Sequence, residues 1–475
     1  MINRTTTKYY LILLFIFSFA NIFAQEKVEL IHADSLTGRS ENGVIVREAQ
    51  GNVQFKQGNI TVFCNSATQF PDQNKVELRG NVKIYQDTMS LFTSKGVYYG
   101  NEKRATGEGG VTLKDPNATL RANSGVYFFE QAKADFQGDV IIINPQYKIT
   151  STYLTYLRNT EDSFAKGNVI VTTDSAVIKA ENIDFFKRQF KTFAYEKVVI
   201  DSDSTLIYAD TLTNYSDKKE TYAAGNVRVE SLNNNTVLFG NILENYELKN
   251  YTKLAGKSKL VQIDKTNADT LYIYSSFMEA FRTKPEYYVA TDSVEIIRTN
   301  FYSKCGRGIY FKDSSKLAME KEPIVWQDNM QITGDSIYAE LPGNKLQSIF
   351  VKKLNIPNTK ASFMISQGDS SFADRYDQIR SRDISVYIQD DKVDSILAIS
   401  NASSIYFIYE DKKANGVNNS EGDNIYIYFD RVENTVSKIR IEKSVKGIYA
   451  PEVEIGKVIL TLPGFIPRTD KPIRR

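Results

Sequence analysis

One histidine, two cysteines and two Gly-Asp-Ser triplets are the features of this 475-residue chain whose types could do bond-making chemistry. The triplets Gly334-Asp335-Ser336 and Gly368-Asp369-Ser370 superficially resemble a hydrolase nucleophile, but a serine needs an adjacent base to be activated. His32 is the sole histidine, so there is no His-based catalytic pair and no histidine metal cluster. It reads as a turn residue. Asp and Glu are scattered, and no spacing gathers the carboxylate pair that glycoside cleavage uses, although a pair assembled across strands stays open at this stage. A Gly-rich phosphate loop and a Cys-x-x-Cys pair are both missing. Asn/Asp turns could hold Ca²⁺, but the dense Gly-Gly-x-Gly-x-Asp pattern is absent. The expectation is a protein that is no enzyme and carries no metal or cofactor.

The residues that do recur in register are apolar. A turn followed by an alternating strand is seen at Gly51-Asn52-Val53-Gln54-Phe55, Gly80-Asn81-Val82-Lys83-Ile84, Gly138-Asp139-Val140-Ile141-Ile142, Gly167-Asn168-Val169-Ile170-Val171 and Gly225-Asn226-Val227-Arg228-Val229. Gly110-Val111-Thr112-Leu113 and Glu196-Lys197-Val198-Val199-Ile200 fill the gaps, so the glycines step by 29, 30, 28, 29 and then 58 positions. Gly before Asn or Asp supplies positive φ where the chain reverses or bends. Beyond it, residues i and i+2 share a face. Val53/Phe55, Val82/Ile84, Val111/Leu113, Val140/Ile142, Val169/Val171, Val198/Ile200 and Val227/Val229 therefore form one inward stripe, while Asn52, Gln54, Lys83 and Arg228 meet water.

Between these units lies a second element, a small or polar pair leading into an apolar strand. It is seen at Ala33-Asp34, Ala122-Asn123, Ala180-Glu181 and Ala209-Asp210, and again at Gly334-Asp335. A unit this short cannot bury its own apolar face, so copies must stack. Cys64 and Cys305 fall about eight repeats apart, tens of Å at ~4.8 Å per strand, and are expected as packed small residues rather than a disulfide.

Composition agrees with a strand protein: 29 Tyr and 27 Phe against 11 Pro and 6 Met. With 59 Lys+Arg, 57 Asp+Glu and both signs interspersed, no broad basic face offers itself to nucleic acid. Arg4 and Lys8, the apolar run 9–20 and a small residue at Ala24 predict a cleaved export signal over residues 1–24. The expected organisation is a repeat array over 25–345, a β module of related construction over 346–450, and a basic, proline-bearing tail over 451–475.

On the Gly-Asn-Val units, the Asn/Asp-Ser strand starts and the export signal, the chain resembles the OstA-like family, which includes LptA and the N-terminal domain of LptD. The resemblance implies an elongated antiparallel β-jellyroll, open as a V-shaped trough, with the fourteen stripe residues against the acyl chains of lipopolysaccharide or another acylated glycolipid. It further implies a periplasmic transport protein of outer-membrane assembly, joined to other jellyroll components, or to its own copies end to end, by edge-strand pairing. The array is about twice as long as a short member of that family. Alternation alone fits a filled core equally well, so a structural or adhesive β-solenoid and a polysaccharide-active β-helix enzyme remain the alternatives.

Overall fold

The computed structural model describes residues 26–475 except 42, 146, 234, 265–268, 354–360, 368–371, 411–412, 431 and 433–434. The expected export signal and the Gly368-Asp369-Ser370 triplet lie outside the described residues. The chain is all-β and antiparallel, with 32 strands and five short 3-10 turns among the described residues. It divides into two compact units, one ending at Gly138 and one beginning at Asp139.

The first unit contains β1 (Glu29–His32), β2 (Ser35–Glu41), β3 (Val44–Gln57), β4 (Ile60–Phe70), β5 (Lys75–Gln86), β6 (Met89–Tyr99), β7 (Arg104–Lys114) and β8 (Thr119–Phe128). The division falls within β9 (Lys133–Ile143). The second unit continues with β10 (Lys148–Leu157), β11 (Asp162–Thr172), β12 (Ala176–Phe186), β13 (Lys191–Ser202), β14 (Thr205–Tyr215), β15 (Glu220–Ser231), β16 (Thr236–Tyr246), β17 (Tyr251–Asp264), β18 (Asp269–Phe281), β19 (Tyr287–Arg298) and β20 (Phe301–Phe311). Twelve further strands lie between Lys316 and Pro451.

The Gly-Asn pairs bend strands; they do not reverse them. Gly80 (φ 74°) and Asn81 (φ 47°) sit in the middle of β5, and its pairing with β6 shifts register between Arg79 and Val82. The same corner recurs at Gly51/Asn52, Gly167/Asn168 and Gly225/Asn226, and at the non-glycine pairs Glu196/Lys197 and Asp292/Ser293. Each bent strand thus contributes one half to wall A and the other to wall B. In β5, residues 75–79 join wall A and residues 82–86 join wall B.

Where the corner carries glycine, the second repeat element packs closely against it. A Cβ on Gly225 would lie 2.2 Å from Asp210 Oδ2, and Asn226 Nδ2 donates to that same oxygen at 2.9 Å. The two sequence elements are therefore cross-strand partners on the outside of the bend.

In the first unit the walls close on each other. The Tyr98 hydroxyl on wall A donates to Gln57 Oε1 on wall B at 2.6 Å, and Gln57 Nε2 bonds the Glu26 and Gly100 carbonyls. Residues 26–28 seal this rim further, with the Val28 N–H on Asn74 Oδ1 and Gln69 Nε2 on the Val28 carbonyl. Burial pushes the Tyr98 phenol above its ordinary range. In the second unit Ser303 Oγ on wall B bonds the Met319 sulfur on wall A at 3.0 Å within a large apolar core.

The outer face is not uniformly wet. Tyr222, Tyr246, Tyr251, Phe281 and Tyr287 form an external ladder on wall A with ring centroids 4.6–6.0 Å apart. Val289, Ile309 and Ala318 are buried beside it. Charged and amide residues elsewhere, such as Asn52, Lys83 and Arg228, do face water.

The last 24 residues run as a strap along the outside of wall B. Arg375 pairs with Glu452 at 2.6 Å. The Gln378 amide exchanges bonds with the backbone of Leu460 and Leu462, and the Gln331 amide does so with Ile466 and Arg468. Lys304 meets Asp470, and the Arg475 main-chain oxygen accepts from Lys259 and Tyr274. Two side-chain amides thereby stand in for a strand ladder that Pro463 and Pro467 would interrupt.

Candidate ligand-binding trough

Wall B carries a registered apolar stripe in both units. In the first unit it runs Phe55–Val62–Ile84–Leu91–Leu113–Leu120 through direct cross-strand pairs, each residue 2% exposed or less. In the second it runs Ile149–Val171–Ile178–Ile200–Ile207–Val229, then Leu238–Leu260–Ile273–Ile296. Ile149, Val171 and Ile296 are buried, whereas the seven residues from Ile178 to Ile273 are only half-buried. The stripe keeps its chemistry and loses its cover.

The cause lies across the gap on wall A. In the first unit, wall A presents Tyr98, Tyr127 and Phe129 inward, all buried, with ring centroids 5.9 and 4.9 Å apart. Tyr156 does the same in β10. From β13 the corresponding registered positions become Thr192, Asn214, Thr221, Asn245 and Thr252. These are half-buried and bond one another, Thr221 to Asn214 at 3.0 Å and Thr252 to Asn245 at 2.8 Å. A threonine cannot reach the volume a tyrosine fills, so the walls keep apolar surface unpacked between them.

Residues beside the corner remain covered throughout: Ile183, Val198, Leu212, Val227, Leu243 and Leu254 are at most 4% exposed. The site is thus a trough over β12–β18 with a closed apolar floor, an isoleucine-rich wall B and a hydroxyl- and amide-bearing wall A. Beyond β19 it closes again, where Leu271 and Ile273 pack onto the core holding Val294, Ile296 and Met319.

The fourteen stripe residues divide accordingly. Val53, Phe55, Val82, Ile84, Val111 and Leu113 are buried inside the first unit. Val140, Ile142, Val169 and Val171 are buried too, and Val198 and Val227 lie in the trough floor. Ile200 and Val229 line the half-open wall. The alternation used to choose them does not reveal wall A; the single Thr or Asn that each of β13–β17 places in one cross-strand row is the signal that does.

The reactive-looking residues do not assemble. His32 is exposed, 3.5 Å from Asp34. Ser336 is buried in a strand, and its hydroxyl has no hydrogen-bond partner among the described residues. Cys64 and Cys305 are free and buried, and burial pushes their thiols up to about 11 and about 12. Among the described residues no group of three His, Cys, Asp or Glu could hold a metal.

Comparison with known proteins places this architecture in a family. The model described as OstA-like protein matches residues 25–181, and that described as LptA/(LptD N-terminal domain) LPS transport protein matches residues 148–342. Together they span residues 25–342, and that stretch of the chain matches the OstA-like/LptA family. A solved structure to which it is similar is LptH, the LptA homologous periplasmic component of the lipopolysaccharide transport device of Pseudomonas aeruginosa. The identity is 14% and the TM-score 0.22, over 23% of this chain and 82% of that one. No curated protein matches the chain.

Proposed function

We propose that this protein binds lipopolysaccharide or another acylated glycolipid in the periplasm and passes it toward the outer membrane, with acyl chains lying in the β12–β18 trough. The observation that carries this reading is the half-buried stripe from Ile178 to Ile273, faced by residues too small to cover it. Each CH₂ of a chain seated there gains roughly 0.8 kcal/mol. A chain of fatty-acid length thus needs no charged contact to be held.

Hand-off by edge-strand pairing is part of the same reading. The strand Val436–Glu442 and the strand Lys446–Pro451 each pair on one side only among the described residues, and Ile439, Ile448 and Tyr449 are exposed there. Such edges suit β-augmentation by a jellyroll partner or a second copy. Mass spectrometry of protein drawn from its native envelope tests the reading. Acylated glycolipid should co-purify with the full chain and be lost from Ile207→Asp; a preparation free of acyl chains contradicts it.

A further inference from the structure

The two rims of the trough differ in charge. In the wall A turns of β12–β19 (residues 187–190, 216–219, 247–250 and 282–286) seven Lys or Arg stand against three Asp or Glu. The equivalent turns of the first unit (71–74, 100–103 and 129–132) carry one cation and three carboxylates. Across the trough, the described wall B turn residues 173–175, 203–204, 232–233 and 235 include Asp174 and Asp203 and no Lys or Arg. Among the described turn residues, positive charge is concentrated on one lip, over the section whose interior is open.

One of these cations reaches inside. Lys218 and Lys249 lie over the external rings of Tyr215 and Tyr246. Arg282 instead donates to Thr252 Oγ1 at 2.5 Å and to Asn245 Oδ1 at 3.1 Å. Those two residues alternate with Leu254 and Leu243 of the trough floor, which puts the guanidinium on the inner face. Its hydrogen bonds go to neutral acceptors, and among the described residues it makes no ion pair within 4.0 Å, whereas nearby Lys312 pairs with Glu286 at 2.9 Å. A guanidinium has five donors in a fork suited to phosphate, and here its hydrogen bonds go to neutral partners, with the Glu286 carboxylate feeling its charge only at longer range.

Resting on the trough reading above, we propose that the bound amphiphile carries a phosphate headgroup and lies in one orientation, with the phosphate on wall A against Arg282 and the chains against wall B. Asn245 and Thr252 are positioning residues: they hold the guanidinium across β16–β18 so that its remaining donors face the lip. The wall B lip, with Asp174 and Asp203, repels the same headgroup and disfavours the reversed pose.

The full chain is titrated with lauroyl lysophosphatidic acid and with monolaurin, which share an acyl chain and differ in the phosphate. Wild type should prefer the phosphorylated probe by about tenfold, as for a charge-assisted bidentate contact. Arg282→Gln should bring the two within about twofold through loss of affinity for the phosphorylated probe. Asn245→Asp, which supplies Arg282 with an internal carboxylate, should likewise narrow the preference to about twofold in a protein at least as heat-stable. Equal binding by wild type, or a preference that survives Arg282→Gln, overturns the headgroup proposal and leaves the trough intact. Binding of neither probe removes the trough reading and this proposal with it. Inorganic phosphate at millimolar concentration should not displace the lipid; displacement would mark a free-anion site and overturn the proposal.

Discussion

The interior of the first unit and the β12–β18 section of the second are alike in the chemistry of one wall and differ in that of the other. Both present a registered branched-aliphatic stripe on wall B, yet Leu113 and Leu120 are fully buried while Ile207 and Leu238 are half-open. Opposite the first stand Tyr98 and Tyr127; opposite the second stand Asn214, Thr221 and Asn245. Whether the interior of this fold is filled or half-open therefore follows residue size on one wall. This chain contains both arrangements.

The largest expected contrast comes from placing a carboxylate on each version of the stripe. Ile84→Asp buries an unpaired charge and should cost about 3–5 kcal/mol or abolish folding. Ile207→Asp, at a half-open position, should cost about 1 kcal/mol or less, because water reaches the charge. Urea unfolding of the two variants checks this, and equal losses would break the comparison.

Next in size is conversion of one section into the other. Asn214→Tyr with Thr221→Tyr, a directly paired couple on β14 and β15, should give the trough a plug like that at Tyr98 and reduce acyl-chain binding severalfold. Undiminished binding of a fluorescent fatty acid would show that wall A size is not what holds the trough open.

A pH titration probes the closed end of the second unit. Burial pushes the Asp377 carboxyl from its ordinary 3.8 up to about 7, with the Phe407 N–H bond at 2.9 Å pulling the other way. The folded state therefore holds a proton that the unfolded chain releases. The resulting stability is fully present below about 3.8, declines as pH rises toward about 7, and is flat beyond. Asp377→Asn keeps the acceptor for Phe407 and should raise the melting midpoint at pH 8 while leaving it little changed at pH 4. The smallest effect is expected at the exposed Arg39–Glu48 pair of the β2–β3 hairpin, where Glu48→Gln should shift stability by about 0.5 kcal/mol or less.

Much of the fold is legible in the chain itself. The 29-residue step of Gly-Asn pairs gives the strand count and the corner, since positive φ at two successive residues has few other solutions. It extends past its own signature: Glu196/Lys197 and Asp292/Ser293 adopt the corner without glycine, held by the strands on either side. The stripe on wall B is also readable, because alternation reports which face a side chain takes. Alternation is silent on what stands opposite. Thr221 and Tyr127 occupy equivalent inward positions on wall A, and only knowing that the strand crosses a corner makes their difference in volume meaningful. The strap is illegible for another reason: Gln331 and Gln378, which hold it, lie 135 and 82 residues from the carbonyls they bond.

The most direct measurement is site-specific photo-crosslinking to acylated glycolipid in intact cells, with the crosslinker placed in turn at Ile207, Val229 and Leu238 and at Ile84 and Leu113. Adducts at the first three positions and none at the last two are predicted. Adducts of equal yield at Leu113 and Ile207, or none at Ile207, would contradict a trough confined to β12–β18.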